Sequence, residues 1–305
     1  MKKNNTAKKA VLPALLAVLC STAALTSVSY AWFTMGKEAS VEQIEVNVDK
    51  ADGLQVSADA RNYSSWSDEI SLTDLAAVRD DEQKVVNKLP TTETALAPVS
   101  SAGNVKNGVQ EIFYAEDDKD DGLIGKVAEA GVDYLVFDLY LKVDSKKTLQ
   151  LKTTSTVTAG QEAKDSELAA RVSFVNLGHV GFEGSSYDGA AAFALTGEAT
   201  DVAKIWEPNA VNHIDGVTPT VQNGAEPYAG ITSLGDEVKN GLHATTTAAV
   251  TTFTNDSATA IAALEAGVNK LRVYIWLEGQ DIDCTNAIAQ GSFATSLGFD
   301  VIDRA

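Results

Sequence analysis

Cysteine, histidine, methionine and proline are all scarce in this chain. Its 305 residues hold two cysteines, two methionines, three histidines and six prolines. Cys20 falls in an N-terminal segment that reads as a removable leader, which leaves Cys284 as the one thiol of residues 32–305. One thiol makes no intramolecular disulfide. A chain of this size buries about three quarters of its unfolded surface and needs no such staple. Cys284 reads as a small buried residue in a turn. His179, His213 and His243 stand far apart in loop-like stretches. None has a second histidine four residues on, and there is no H-E-x-x-H, so a zinc helix is excluded and all three read as surface residues.

Positive charge is scarce as well. Lys and Arg number 24 against 42 Asp and Glu, for a net charge of −18. Such a chain repels phosphate backbones and anionic membranes, which argues against nucleic acid as a partner. The common catalytic signatures are missing: no G-x-S-x-G and no P-loop. Gly178 to Asp188 is glycine-rich but lacks the G-x-G-x-x-G order and the following helix of a dinucleotide site. Carboxylate pairs abound, as they must at this acidity, so a glycosidase reading has no anchor. A non-enzymatic protein without a cofactor is expected, or else a hydrolase without a recognisable motif.

One long uncharged run is present, and it lies at the start. Lys2, Lys3, Lys8 and Lys9 precede the uncharged Ala10–Val28, and Ser29-Tyr30-Ala31 follows. Basic region, apolar region and small-residue site, in that order, make residues 1–31 a secretory signal peptide cut after Ala31. An uncleaved anchor is the competing reading, since a span takes ~20 residues. Pro13 and the many Ala, Ser and Thr make this stretch weak as a permanent span. Trp32-Phe33-Thr34 comes next, and then Ile44, Val46 and Val48 alternate with Glu45 and Asn47, the period of a half-buried strand.

Tyr30-Ala31-Trp32-Phe33-Thr34, behind a Leu/Ala/Thr-rich segment, resembles the export signal of the TasA/camelysin family of Firmicutes. The likeness covers about forty residues, with no residue-by-residue match downstream. It implies a secreted, extracellular protein, handled by a membrane only during export, and a jelly-roll-like sandwich. Several members of that family form fibres of the biofilm matrix. Others have been called proteases, but no metal-ligand motif here carries that over.

The rest of the chain reads as strands and turns. Tyr134–Val143 and Val268–Gly279 alternate most clearly, with Leu135, Phe137, Leu139, Leu141 and Val143 on one face of the first. The other face of that strand reads as mixed and partly solvated. Thr148–Val157 is expected to return as its hairpin partner, and the alternating segment from Phe293 to Val301 to pair antiparallel with Val268–Gly279. Ala248–Thr254 reads as a strand. Short helices are expected over Ile70–Val78, capped by Thr73, over Glu162–Ala170, and over Asp256–Ala266. Many strands, few helices and no βαβ rhythm predict an all-β, two-sheet antiparallel β-sandwich over residues 32–305, with long loops.

Three sets of residues are candidates for function. Trp32, Phe33, Ile44, Val46 and Val48 lie on a strand, residues 32–48, that either adds to a neighbouring subunit or pairs at an edge of its own. Self-association, or association with other cell-surface proteins, follows from the first. Tyr63 and Trp66, with Tyr187 or Trp206, are aromatics that suit a glycan-binding module. Asp117, Asp118, Asp120 and Asp121 beside Gly122 suit a weak Ca²⁺ site without EF-hand spacing, or a solvated acidic turn.

Overall fold

The computed structural model describes residues 39–49, 53–89, 96–118, 120, 122–197, 202–217, 225, 227–238, 241–247 and 249–304. The leader, Trp32 and Phe33 lie outside the described residues. In chain order the first elements are β1 (Ser40–Val48), β2 (Gln55–Ser57), β3 (Glu69–Ser71), α1 (Leu72–Ala77), β4 (Pro98–Val99), β5 (Val105–Lys106) and β6 (Val109–Gln110). Then come β7 (Phe113–Asp118), β8 (Gly122–Val127), β9 (Leu135–Val143), β10 (Lys147–Leu151), β11 (Thr156–Ala159) and β12 (Ala170–Val180). The last are α2 (Gly189–Ala194), β13 (Lys204–Trp206), β14 (Ile231–Val238), β15 (Gly241–Thr246), β16 (Thr259–Leu264), β17 (Gly267–Glu278) and β18 (Ser292–Asp303).

Two large sheets face each other. The first runs β16-β10-β18-β1-β3, with β11 also on β18; the second runs β13-β12-β17-β9-β2, with β4 also on β17. Alternate residues of both supply one core: Ile44 and Val46 of β1 and Leu297 and Phe299 of β18 meet Phe137 and Leu139 of β9 and Val273 and Ile275 of β17. Phe174 and Phe299 touch edge to face across the layers, with ring centres 5.8 Å apart. This is the expected all-β sandwich, antiparallel apart from the β1–β18 and β4–β17 pairs. A smaller sheet, β14-β15-β8-β7, joins the acidic hairpin β7–β8 to the later pair β14–β15.

Both expected hairpins are corrected. β9 belongs to the second sheet and β10 to the first; likewise β17 and β18 lie in opposite sheets. Alternation reports which face of a strand is buried, not which strand lies beside it. Chains that cross from layer to layer keep their apolar faces on the same core. Asp256–Ala266 is also corrected: it carries β16, paired with β10. Alanine favours helix by only fractions of a kcal/mol per residue, and burial of Ile261 and Leu264 outweighs that. Of the expected strand Ala248–Thr254, the described residues 249–254 form no strand and contribute a single bridge, Trp206 to Phe253.

The helix expected near Ile70 is α1, but its cap is Ser71. The Ser71 hydroxyl accepts from the Asp74 amide and the Asp74 carboxylate accepts from the Ser71 amide, a reciprocal box. Glu162–Ala170 holds one turn, Ser166–Ala169. The outer face of β9 is drier than its sequence suggests, since Asp138 and Tyr140 are both buried.

Candidate functional site

β1 fills a groove between the last strand and a short edge. It pairs parallel with β18 from Ser40–Ser292 to Val48–Phe299, and antiparallel with β3 over Glu45–Asn47. The Ser40 amide donates to the Gly291 carbonyl at 3.0 Å at one end, and the Asp49 amide to the Phe299 carbonyl at 3.1 Å at the other. Ile44, Val46 and Val48 point into the core as their alternation predicts. Each such side chain contributes about 1.5–3 kcal/mol on burial, so an empty groove is strongly disfavoured. Among the described residues, the second side of Val41–Ile44 meets no strand. Within a single copy, β1 thus occupies its own subunit's sheet.

Three of the four candidate aromatics meet at one corner. Tyr187 is the hinge: its hydroxyl donates to the Ala60 carbonyl at 2.8 Å and accepts from Trp66 Nε1 at 2.9 Å. Tyr63 donates to the Tyr187 carbonyl, with ring centres 4.7 Å apart. The Lys142 ammonium lies 4.6 Å from the centre of the Trp66 ring. Tyr63 stays 56% exposed. Trp206 is elsewhere, sealed in the core with Nε1 donating to Asn255.

A cleft of about 440 Å³ opens beside this corner, lined by Asp59, Asn62, Ser65, Glu69 and Asp74 among others. Two of its carboxylates already have partners. Asp59 holds Arg61 through both oxygens, and Asp74 caps α1, which also keeps its carboxyl below the ordinary range.

The acidic segment is a hairpin, with Asp118 opposite Gly122 between β7 and β8. Asp120 is exposed. Asp121 and the side chains of Asp117 and Asp118 lie outside the described residues. Among the described residues, no group of three or more His, Cys, Asp and Glu is placed to hold a metal.

His179 and His243 are exposed as expected, but His213 is not a surface residue. Its side chain is 12% exposed and Nδ1 lies 2.6 Å from Asp283 Oδ2. It borders a buried ionic cluster that sequence reasoning missed. Arg171 on β12 gives Nη2 to Glu207 at 2.9 Å and to Asp281. Glu278, at the end of β17, accepts from Trp276 Nε1 at 3.0 Å and from the Gln280 amide at 3.1 Å. Cys284 is buried, as expected, beside these acids, and burial pushes its thiol well up, away from a reactive thiolate. The one local signal was Trp276-x-Glu278, a carboxylate two residues from an indole on the same strand face.

A second ionic cluster sits on the outer face of β9 and β17. Asp138 takes Arg272 through both oxygens, at 2.7 and 2.9 Å, and Lys270 at 3.1 Å.

Compared with protein families, curated proteins and solved structures, the chain matches none. Among the described residues, no helix is long and apolar enough to cross a membrane.

Proposed function

We propose that the protein is a secreted structural subunit that associates with further copies of itself by strand addition, with β1 as the strand exchanged. The observation that carries this is the β1–β18 ladder. β1 is bonded along its whole length to the far end of the chain, and only residues 49–54 link it to β2. A second copy offers the same groove, so a β1 that enters a neighbour makes the same bonds and buries the same side chains. An exchange that passes from copy to copy without closing yields a filament. The basic-then-apolar leader supports export, and the acidity supports a soluble surface that repels nucleic acid and anionic membranes.

Electron microscopy of residues 32–305 tests the reading. Fibres are expected, and deletion of residues 32–48, which removes β1, is expected to abolish them. Fibres that survive that deletion unchanged would reject β1 exchange.

A second reading rests on the aromatic corner, where Tyr63 remains exposed on a platform of Tyr187 and Trp66. Such a face suits a sugar ring. Glycan-array binding that disappears in Tyr63→Ala and Trp66→Ala would favour it; binding unaffected by both would remove it.

A further inference from the structure

Among the described residues, carboxylates outnumber cations where the β17–β18 connection is buried. Glu207, Glu278, Asp281 and Asp283 face two basic side chains, Arg171 and His213. Arg171 and Glu278 are fully buried, and the other three acids are almost so. The remaining titratable neighbours, Tyr228 and Cys284, are held neutral by burial, which pushes both well up. Even with His213 protonated, four ionised carboxylates would leave the pocket net negative and out of reach of bulk water, a costly arrangement.

The cluster shows where the imbalance falls. Arg171 serves Glu207 and Asp281, and His213 serves Asp283. Glu278 is met by neutral donors: the Trp276 indole, the Gln280 amide and the Ser100 hydroxyl. Its position matters, because the connection it begins runs directly into the start of β18. There Ser292 lies opposite Ser40, and the Ser40 amide donates to the Gly291 carbonyl.

We propose that this cluster is a proton-operated latch on the β17–β18 connection, with Glu278 as the group that takes the proton and the β18–β1 junction as the element held. With the proton on, Glu278 is a neutral acid in a dry pocket and the connection is tight. With the proton off, a further negative charge sits among Glu207 and Asp281, and the connection loosens. Burial pushes the Glu278 carboxyl up to about 7 from its ordinary 4.5, although the Trp276 and Ser100 hydrogen bonds pull the other way. A raised acid favours the fold at low pH. The stabilisation is full below about 4.5, is lost as pH rises towards about 7, and changes no further above that. Asp281, also raised by burial, adds to the same slope. The latch concerns one copy of the chain and stands whether or not β1 is exchanged.

Thermal unfolding of the full chain from about pH 5 to about pH 8, compared with Glu278→Gln, tests it. The midpoint of the wild type is expected to fall by several degrees relative to the variant between about pH 5 and about pH 7, after which the two curves run parallel. The surface variant Glu82→Gln is expected to track the wild type. A constant difference between wild type and Glu278→Gln across the range would overturn the latch. If Glu278→Gln does not fold, the wild type decides through infrared difference spectra across neutral pH. Loss of a buried protonated-carboxyl band that persists in Glu167→Gln supports the latch, and no such loss overturns it.

Discussion

The two ionic clusters of the second sheet have opposite balances. Around Asp138, two cations share one carboxylate; around Arg171, one guanidinium and one imidazole face four carboxylates. The first is assembled from neighbouring strands in register, since Asp138 lies directly opposite Arg272. The second is assembled from two strands, one loop and a connection that span more than a hundred residues of sequence. The difference shows in how each responds to protons. Burial pushes the Asp138 carboxyl up, but the Arg272 hydrogen bonds and charge and the Lys270 ammonium outweigh it and hold the group below its ordinary 3.8. Its contribution is therefore present above about 3.8 and lost as pH falls through the lower folded value. Glu278 runs the other way.

Removing the central charge of each cluster, the guanidinium of one and the carboxylate of the other, breaks the comparison most sharply. Arg171→Met leaves buried Glu207 and Asp281 without their guanidinium, and a loss of about 3–5 kcal/mol is expected in urea unfolding at neutral pH. The loss should shrink in acid, where the carboxylates take up protons. Asp138→Asn strands Lys270 and Arg272 and is expected to cost about 2–4 kcal/mol. Because it removes a group with a lowered pKa, it should flatten the acid limb of the stability curve, below about pH 3.8, rather than the neutral one. A smaller effect is expected at the surface pair of Lys84 and Glu82, both largely exposed: Lys84→Ala should change stability by about 0–0.5 kcal/mol. An Arg171→Met variant as stable as the Lys84→Ala variant would show that the buried cluster does not hold the fold.

The same contrast explains what could be read from the residues. β9 and β17 announced themselves by alternation, and so did the inward set Ile44, Val46 and Val48 of β1. Their neighbours did not. Strand pairing is a long-range property, and β18 found β1 at the other end of the chain rather than β17 just before it. β16 was hidden by its alanines. The aromatic corner was half legible: Tyr63 and Trp66 share one loop, but Tyr187, which joins them, is more than a hundred residues on. The buried acids were illegible because an Asp or Glu in an acidic chain carries no mark of burial. Asp281 meets its arginine 110 residues away and Asp283 its histidine 70 residues away.

The exchange of β1 is tested most directly by a covalent bond across its ladder. Glu45 and Ser296 are Cα partners on β1 and β18, and both are only partly buried. Cysteines at these two positions fall within disulfide reach, and the buried Cys284 does not compete. Oxidation of Glu45→Cys/Ser296→Cys assemblies, run on a denaturing non-reducing gel, is predicted to give a ladder of covalent multimers. A single monomer band, its disulfide closed within one chain, would contradict the account.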